Sequence, residues 1–252
     1  MNKKDFIEFF GVEDKNEVAK LYEKYTLTEF GISSWTDEFY SPNIWNELLK
    51  MKKSLGVEIE TYGISVQSEK RAILFKGDYE AESPLKLLSI KNLSKFKSLA
   101  HKDYLGALMS LGIKREKLGD LVVKGDQCYF LTFEEMAKII FHELKTVGNN
   151  PVEVQYLDKI EIEIEFEKVL VTISSERLDS LVGAVTKQSR ESAVKSIERG
   201  EVLVNYEIQK DKSLKLQKDD VISIKGYGKF KYIEVLGNTK KDKKRIEIKK
   251  FV

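Results

Sequence analysis

Between residues 84 and 158 two periodicities alternate along the chain, and their order leaves few ways to fold. Leu85 to Leu93 reads as a strand. His101 to Leu111 reads as a helix, with Leu105, Leu108 and Leu111 on one side. Leu121-Val122-Val123 and Cys128-Tyr129-Phe130-Leu131 flank Lys124-Gly125-Asp126-Gln127, a hairpin signal with glycine in the turn. Thr132-x-x-Glu135 predicts a capped helix with the stripe Met136, Ile139, Ile140, Leu144 and Val147, closed by Gly148. Val152 to Tyr156 alternates as a last strand.

The order is strand, helix, strand, strand, helix, strand. It predicts a split βαβ unit, a ferredoxin-like or RRM-like sandwich of one sheet and two helices. The aromatic strand motif of RNA-reading sheets is missing. Tyr129 and Phe130 fall on the right strand, but their neighbours do not fit, so base stacking on that sheet is not expected.

The flanking regions complete an α+β chain expected to have three domains: 1–80, 81–170 and 174–252. In the first, Asp14-x-x-Glu17 is a capping box for a helix with Val18, Leu21, Tyr22 and Tyr25 on one face, stopped by Gly31. Pro42 opens a second helix through Trp45, Leu48 and Leu49, ended by Gly56. Val57 to Tyr62 alternates as a strand that Arg71 to Phe75 can pair with. Farther on, Ile160, Ile162, Ile164 and Phe166 alternate with Glu161, Glu163, Glu165 and Glu167. This predicts a half-buried strand trailing the middle domain and joining it to the last one.

From Arg177-Leu178-Asp179 a helix is expected to about Val185. Ser189 caps a second, with Ala193, Val194 and Ile197 inward and Gly200 after it. Val202 to Asn205 and Val221 to Ile224 are strands, and only a tail is expected after Phe230.

Charge is unevenly spread over these domains. From Ser174 onward the chain has 19 Lys and Arg against 12 Asp and Glu, a net +7; the remainder has 24 against 29, a net −5. The C-terminal third is the expected polyanion-facing region. No apolar run approaches the length of a bilayer span, and Met1 to Phe10 makes a poor signal peptide, so no membrane partner is expected. The single cysteine, Cys128, excludes an internal disulfide and a multi-cysteine zinc site. A cytoplasmic location is the default expectation.

Two sets of residues could carry function. On the second C-terminal helix Ser192, Lys195 and Arg199 lie opposite the apolar stripe, with Arg190 in the first turn. Lys225, Lys229 and Lys231 come from a glycine-flanked strand end, with Tyr227 among them. Such a patch suits phosphates and an unpaired base. Asn205 reads as a turn former. The second set is His101, Asp103, Arg115 and Asp120. Catalysis would need a nucleophile, metal shell or cofactor loop beside them, and none is apparent. His101 and Asp103 are as well suited to starting the helix. Gly106 is read as allowing a close backbone approach, with Gly112 ending the helix and Gly119 opening a strand. Lys102, Lys114, Arg115 and Lys117 could form a second RNA-facing edge. No metal, cofactor or catalytic residue is expected.

The segment His101 to Val123 closely resembles the signature segment of the YlmH-like family of bacterial RNA-binding proteins. Arg177-Leu178-Asp179, Ser189-Arg190, Ile197-x-x-Gly200, Val202-x-Val204-Asn205 and Asp220-Val221-Ile222 resemble that family's C-terminal S-four-type, or alpha-L, RNA-binding domain. Asp219 and Tyr206 stand where glycines are usual. Before residue 80 only Gly63, Glu69 and Lys70-Arg71 of the family pattern survive. The resemblance implies a non-catalytic protein that binds ribosomal RNA and tRNA on the large ribosomal subunit, in the quality control of stalled ribosomes; a monomer is expected. It also implies that Arg177, Ser189 and Asn205 face RNA and that His101 joins the second edge. Two rivals remain: an RNA-modifying enzyme of the pseudouridine synthase or methyltransferase kind, and a cell-division-linked adaptor. A synthase would need a large domain after Phe230, and a methyltransferase a glycine-rich cofactor loop. The chain has neither signal.

Overall fold

The computed structural model describes residues 1–10, 15–162, 166–239 and 242–251, in two compact units, 1–163 and 164–252. The architecture is mixed α+β, with antiparallel sheets in both units. Among the described residues no helix is long and apolar enough to cross a membrane.

The first unit begins with α1 (Lys3–Phe9), α2 (Lys15–Thr26), β1 (Ser34–Trp35), α3 (Pro42–Leu55), β2 (Glu58–Tyr62) and β3 (Ala72–Lys76). The expected pairing of β2 with β3 is present, and β1 adds to the other edge of β3. The capping residue Asp14 lies outside the described residues. Sequence periodicity did not disclose α1. Its cap is Asn2, whose side chain accepts from Asp5 N at 2.9 Å, and Phe6 buries its ring against Phe10, Tyr22 and Tyr25.

The same unit continues through β4 (Leu85–Asn92), α4 (His101–Ser110), β5 (Val122–Lys124), β6 (Gln127–Phe133), α5 (Glu134–Glu143), β7 (Thr146–Val147) and β8 (Asn150–Leu157). The sheet order is β5-β6-β4-β8-β7, antiparallel throughout. Alternate side chains Leu88, Ile90, Cys128, Phe130, Val152 and Val154 form one core with Tyr104 and Leu108 of α4 and Ala137 and Ile140 of α5. The β5–β6 hairpin closes as expected, with Gly125 at φ 61°.

Three details depart from expectation. Thr132 is the last-but-one residue of β6, not a cap: its hydroxyl donates to Lys117 O at 2.8 Å, and α5 starts after Phe133. Ile139 is 40% exposed, while Ala137, a weak signal in sequence, is fully buried. The boundary expected near residue 80 does not separate independent bodies, because Phe39 and Ala72 pack with Phe133, Leu85 and Leu131.

The second unit contains β9 (Phe166–Ile173), α6 (Leu178–Thr186), α7 (Arg190–Glu198), β10 (Val202–Val204), β11 (Glu207–Ile208), β12 (Val221–Ile224), β13 (Gly228–Asn238) and β14 (Lys244–Phe251). Its sheet runs β11-β10-β12-β13-β14-β9. Two expectations are corrected here. No tail follows Phe230: β13 and β14 form a long hairpin whose Ile246 and Ile248 are wholly buried. The acidic alternating segment is a strand only from Phe166 onward among its described residues. Ile160 and Ile162 are in no strand, 163–165 lie outside the described residues, and β9 starts at Phe166. From there the strand pairs with β14 over its whole length, and Val169, Val171 and Ile173 join the C-terminal core. The strand assigned to the middle domain up to residue 170 therefore belongs to the last sheet.

This assignment has a direct test. A fragment starting at residue 174 lacks β9 and leaves β14 as a bare edge, whereas one starting at 166 keeps it covered. Each aliphatic side chain lost from the core removes about 1.5–3 kcal/mol of burial. The shorter fragment should melt at clearly lower temperature and aggregate more readily than the longer one. Equal melting temperatures would show that β9 adds nothing to this unit.

Candidate nucleic-acid interface

Asp179 organises the C-terminal candidate site. It sits in the first turn of α6 between Leu178 and Leu181, on the inward face, and is only 1% exposed. A buried carboxylate is costly unless paired and hydrogen-bonded. Arg177 meets it with Nε and Nη2 at 3.2 and 3.1 Å. Arg190, at the start of α7, meets it with the same two nitrogens at 3.0 and 2.9 Å. Burial alone would push the Asp179 carboxyl up; hydrogen bonds and charge from the two arginines outweigh it and hold it below the ordinary carboxylate value. Two guanidinium groups on one carboxylate leave a net positive charge, fixed in position. Arg190 keeps 61% of its side chain exposed.

The turn between α6 and α7 holds this geometry. Lys187 ends α6 at φ 57°, a left-handed conformation unusual for lysine. Ser189 caps α7 as expected, accepting from Ser192 N at 3.2 Å. Ser192 also lies 3.0 Å from it, hydroxyl to hydroxyl. Between them Gln188 donates to the Tyr227 hydroxyl at 2.7 Å. The β12–β13 turn, with Lys225 and Tyr227, is thereby brought to the start of α7.

Other expected residues are placed with partners. Lys195 pairs with Glu191 at 2.8 Å, and Arg199 grips Glu201 at 3.0 and 2.7 Å. The Lys225 backbone N–H donates to Glu201 O at 3.0 Å, which sets that lysine beside the Arg199–Glu201 pair. Lys231 pairs with Asp219 at 2.9 Å. The ammonium of Lys229 lies 5.1 Å from the Tyr206 ring. Asn205 is the turn former expected: with Tyr206 it makes a two-residue turn between Val204 and Glu207, both at positive φ, 51° and 74°. Its amide donates to Asp220 at 2.8 Å and its carbonyl accepts from Val221 N at 2.9 Å. Asp219 is also left-handed, at φ 72°. Both positions that depart from the usual glycine thus hold a backbone that glycine adopts more easily.

The edge at 101–123 is less exposed than its composition suggests. Arg115 turns inward: its Nη1 donates to Leu118 O at 2.6 Å and Gly119 O at 3.1 Å. Burial pulls its guanidinium below the ordinary value, against the pull of Asp120. Lys117 donates to Asp37 O at 2.7 Å and lies over the Phe133 ring. Asp120 is a structural acceptor, taking Glu69 N at 2.6 Å and Lys70 N at 3.1 Å. Glu69 and Lys70, two of the surviving family residues before residue 80, are therefore tied to the signature segment. Asp103 accepts from Ala100 N at 2.8 Å and so secures the start of α4, where His101 is the first helical residue. His101, Lys102 and Lys114 remain exposed. Gly106 has open space where a Cβ would stand, contrary to expectation. The close approach is at Gly119, whose Cβ would meet Leu131 O at 3.2 Å. Sequence reasoning missed Lys187 and Gln188, and named Asp179 only as part of the Arg177-Leu178-Asp179 motif, without its role as the ion-pair centre.

Among the described residues no three His, Cys, Asp or Glu side chains converge in a way that could hold a metal ion. Residues 77–161 match the family model "Putative RNA-binding domain in YlmH". Over 191 residues, 73% of this chain and 74% of the relative, the chain is 31% identical to "Ribosome-associated protein quality control protein P2" of Bacillus subtilis (strain 168). The solved structure "Cell division protein ylmH from Streptococcus pneumoniae" is 24% identical and superposes with a TM-score of 0.48, over 58% of this chain and 92% of that one. The family-model match at 77–161 places an RNA-binding domain of the YlmH type in the middle of the chain. The chain belongs to the YlmH-like family.

The buried carboxylate predicts a pH signature. Because the folded value of Asp179 lies below the unfolded one, its stabilisation is present above about 3.9, the ordinary carboxyl value, and is lost as pH falls through the folded value. Asp179→Asn should destabilise the second unit by about 1–3 kcal/mol near neutrality. The difference from wild type should shrink as the solution is acidified. Urea unfolding from roughly pH 2 to roughly pH 7, which brackets the ordinary carboxyl value, measures it. A difference that does not vary with pH would refute the ion-pair assignment.

Proposed function

We propose that this chain is a non-catalytic RNA-binding protein that works on the ribosome. It contacts ribosomal RNA and tRNA on the large subunit while stalled ribosomes are handled. The observation that carries the reading is the pair Arg177 and Arg190 fixed on buried Asp179, with the Gln188–Tyr227 hydrogen bond at the start of the same helix, α7. Neither arginine spends its Nη1 on the carboxylate, so each keeps donors for a phosphate. A phosphate arriving there neutralises a charge already oriented, so little side-chain entropy is lost on binding.

The middle sheet order, with its two helices packed on one face, supports an RRM-like reading of that domain. Two helices packed on a curled sheet support the S-four-type reading of the second unit. The name of the Bacillus subtilis relative favours a ribosomal setting. A non-catalytic role is favoured by Asp103 and Asp120, the carboxylates of the rival reading, which are taken up by backbone N–H groups. Arg115 and Lys117 drop out of the second edge, leaving Lys102 and Lys114 with His101.

Affinity for ribosomal RNA should fall steeply with salt. With about five phosphate contacts, log K against log salt has a slope of roughly −3.5 to −4.5. Arg199→Ala combined with Lys225→Ala removes two exposed cations, so melting should be little changed. The slope should then flatten by roughly 1.4–1.8. Co-sedimentation with purified large subunits over a salt series reads both values; an unchanged slope would exclude these residues from the contact.

A further inference from the structure

The loop from β4 to α4 is anchored by two buried amides. Asn92 and Asn150 are each 4% exposed. Asn92 Nδ2 donates to Lys97 O at 2.7 Å, and its Oδ1 accepts from Ser94 N at 3.0 Å. Asn150 Nδ2 reaches the same Lys97 carbonyl at 2.8 Å and Asn92 Oδ1 at 3.2 Å. Leu99 closes the loop by entering the core. Amides are costly to bury unless hydrogen-bonded, so this pair is a device for fixing backbone. What it fixes is the tip Lys95-Phe96-Lys97, where Phe96 is 99% exposed.

A phenyl ring left entirely in water forgoes the burial that usually decides where phenylalanine sits. Its neighbours Ser94, Lys95, Lys97 and Ser98 are polar. One ring among them offers too little apolar area for a protein interface with a hydrophobic core. A lone aromatic between two cations is instead the composition that binds unpaired nucleic acid: the ring takes a base face and the ammonium groups take the adjoining phosphates. The loop also lies inside the span that matches the RNA-binding model.

We propose that Phe96 is a stacking platform for an unpaired base of the bound RNA, with Lys95 and Lys97 on the flanking phosphates; this rests on the RNA-binding reading above. Paired bases are already stacked and present no free face, so the loop selects a bulge, a hairpin loop or a single strand.

The test uses the full chain and RNA oligonucleotides of one sequence, single-stranded and annealed. Phe96→Trp adds a solvated indole to the background of Trp35 and Trp45, which wild type supplies alone. Its extra emission should be quenched by the single strand and not by the duplex or by anionic phospholipid vesicles. Phe96→Ala and Phe96→Leu should both weaken single-strand binding by roughly five- to a hundredfold, the range of one base stack, with unchanged melting. Leucine at wild-type affinity, quenching that is equal with duplex, or a response to vesicles only would overturn the proposal. The salt slope of wild type, measured alongside, separates the failures. RNA binding that persists while both Phe96 variants are neutral sinks this proposal alone; no RNA binding by wild type sinks the parent reading too.

Discussion

The second unit is built around one carboxylate that could not sit where it does by itself. Asp179 lies with Leu178, Leu181 and Val182 on the buried side of its helix, and its charge survives there because Arg177 and Arg190 close over it. Arg177 precedes α6 and Arg190 begins α7, so the ion pairs also set how the two helices meet. Buried ion pairs are weak stabilisers compared with packed hydrophobes, and their best-attested use is to specify one arrangement. Here the arrangement specified is a fixed cationic surface. The Gln188–Tyr227 hydrogen bond extends that order to the β12–β13 turn.

Much of this was legible in the chain because the signals were local. Ser189 before Arg190 and Gly200 after Arg199 mark α7 at both ends, and each cap acts within a few residues. The middle domain was legible because its apolar periods are clean and its connections short. What failed was long-range. Val169, Val171 and Ile173 look like any strand; nothing in their spacing reveals that the partner is Ile246 and Ile248 rather than the middle sheet. Arg115 and Lys117 looked like surface cations for the same reason. Their acceptors, the carbonyls of Leu118, Gly119 and Asp37, are backbone groups, which no residue type advertises.

The charge distribution carries a related lesson. The net +7 of the C-terminal third is not +7 of available charge. Lys195, Arg199 and Lys231 each face a carboxylate at the surface, and such pairs contribute little to stability. On the proposed reading, each exchanges a carboxylate for a phosphate at small cost. Arg177 and Arg190 behave differently, since they cannot leave Asp179 without stranding a buried charge. The surface thus combines a rigid centre with a compliant margin.

The pairing of β9 with β14 has a consequence for the order in which the chain can fold. β9 is made early, yet its only partner among the described strands arrives about seventy residues later, and closing so long a loop precedes any reward in contacts. During synthesis β9 can pack on α6 as soon as that helix is made, but its edge stays without a strand partner until β14 follows. The run just before β9 is acidic, Glu161 and Glu163 among its residues, and charges flanking an apolar strand oppose its pairing with a second chain.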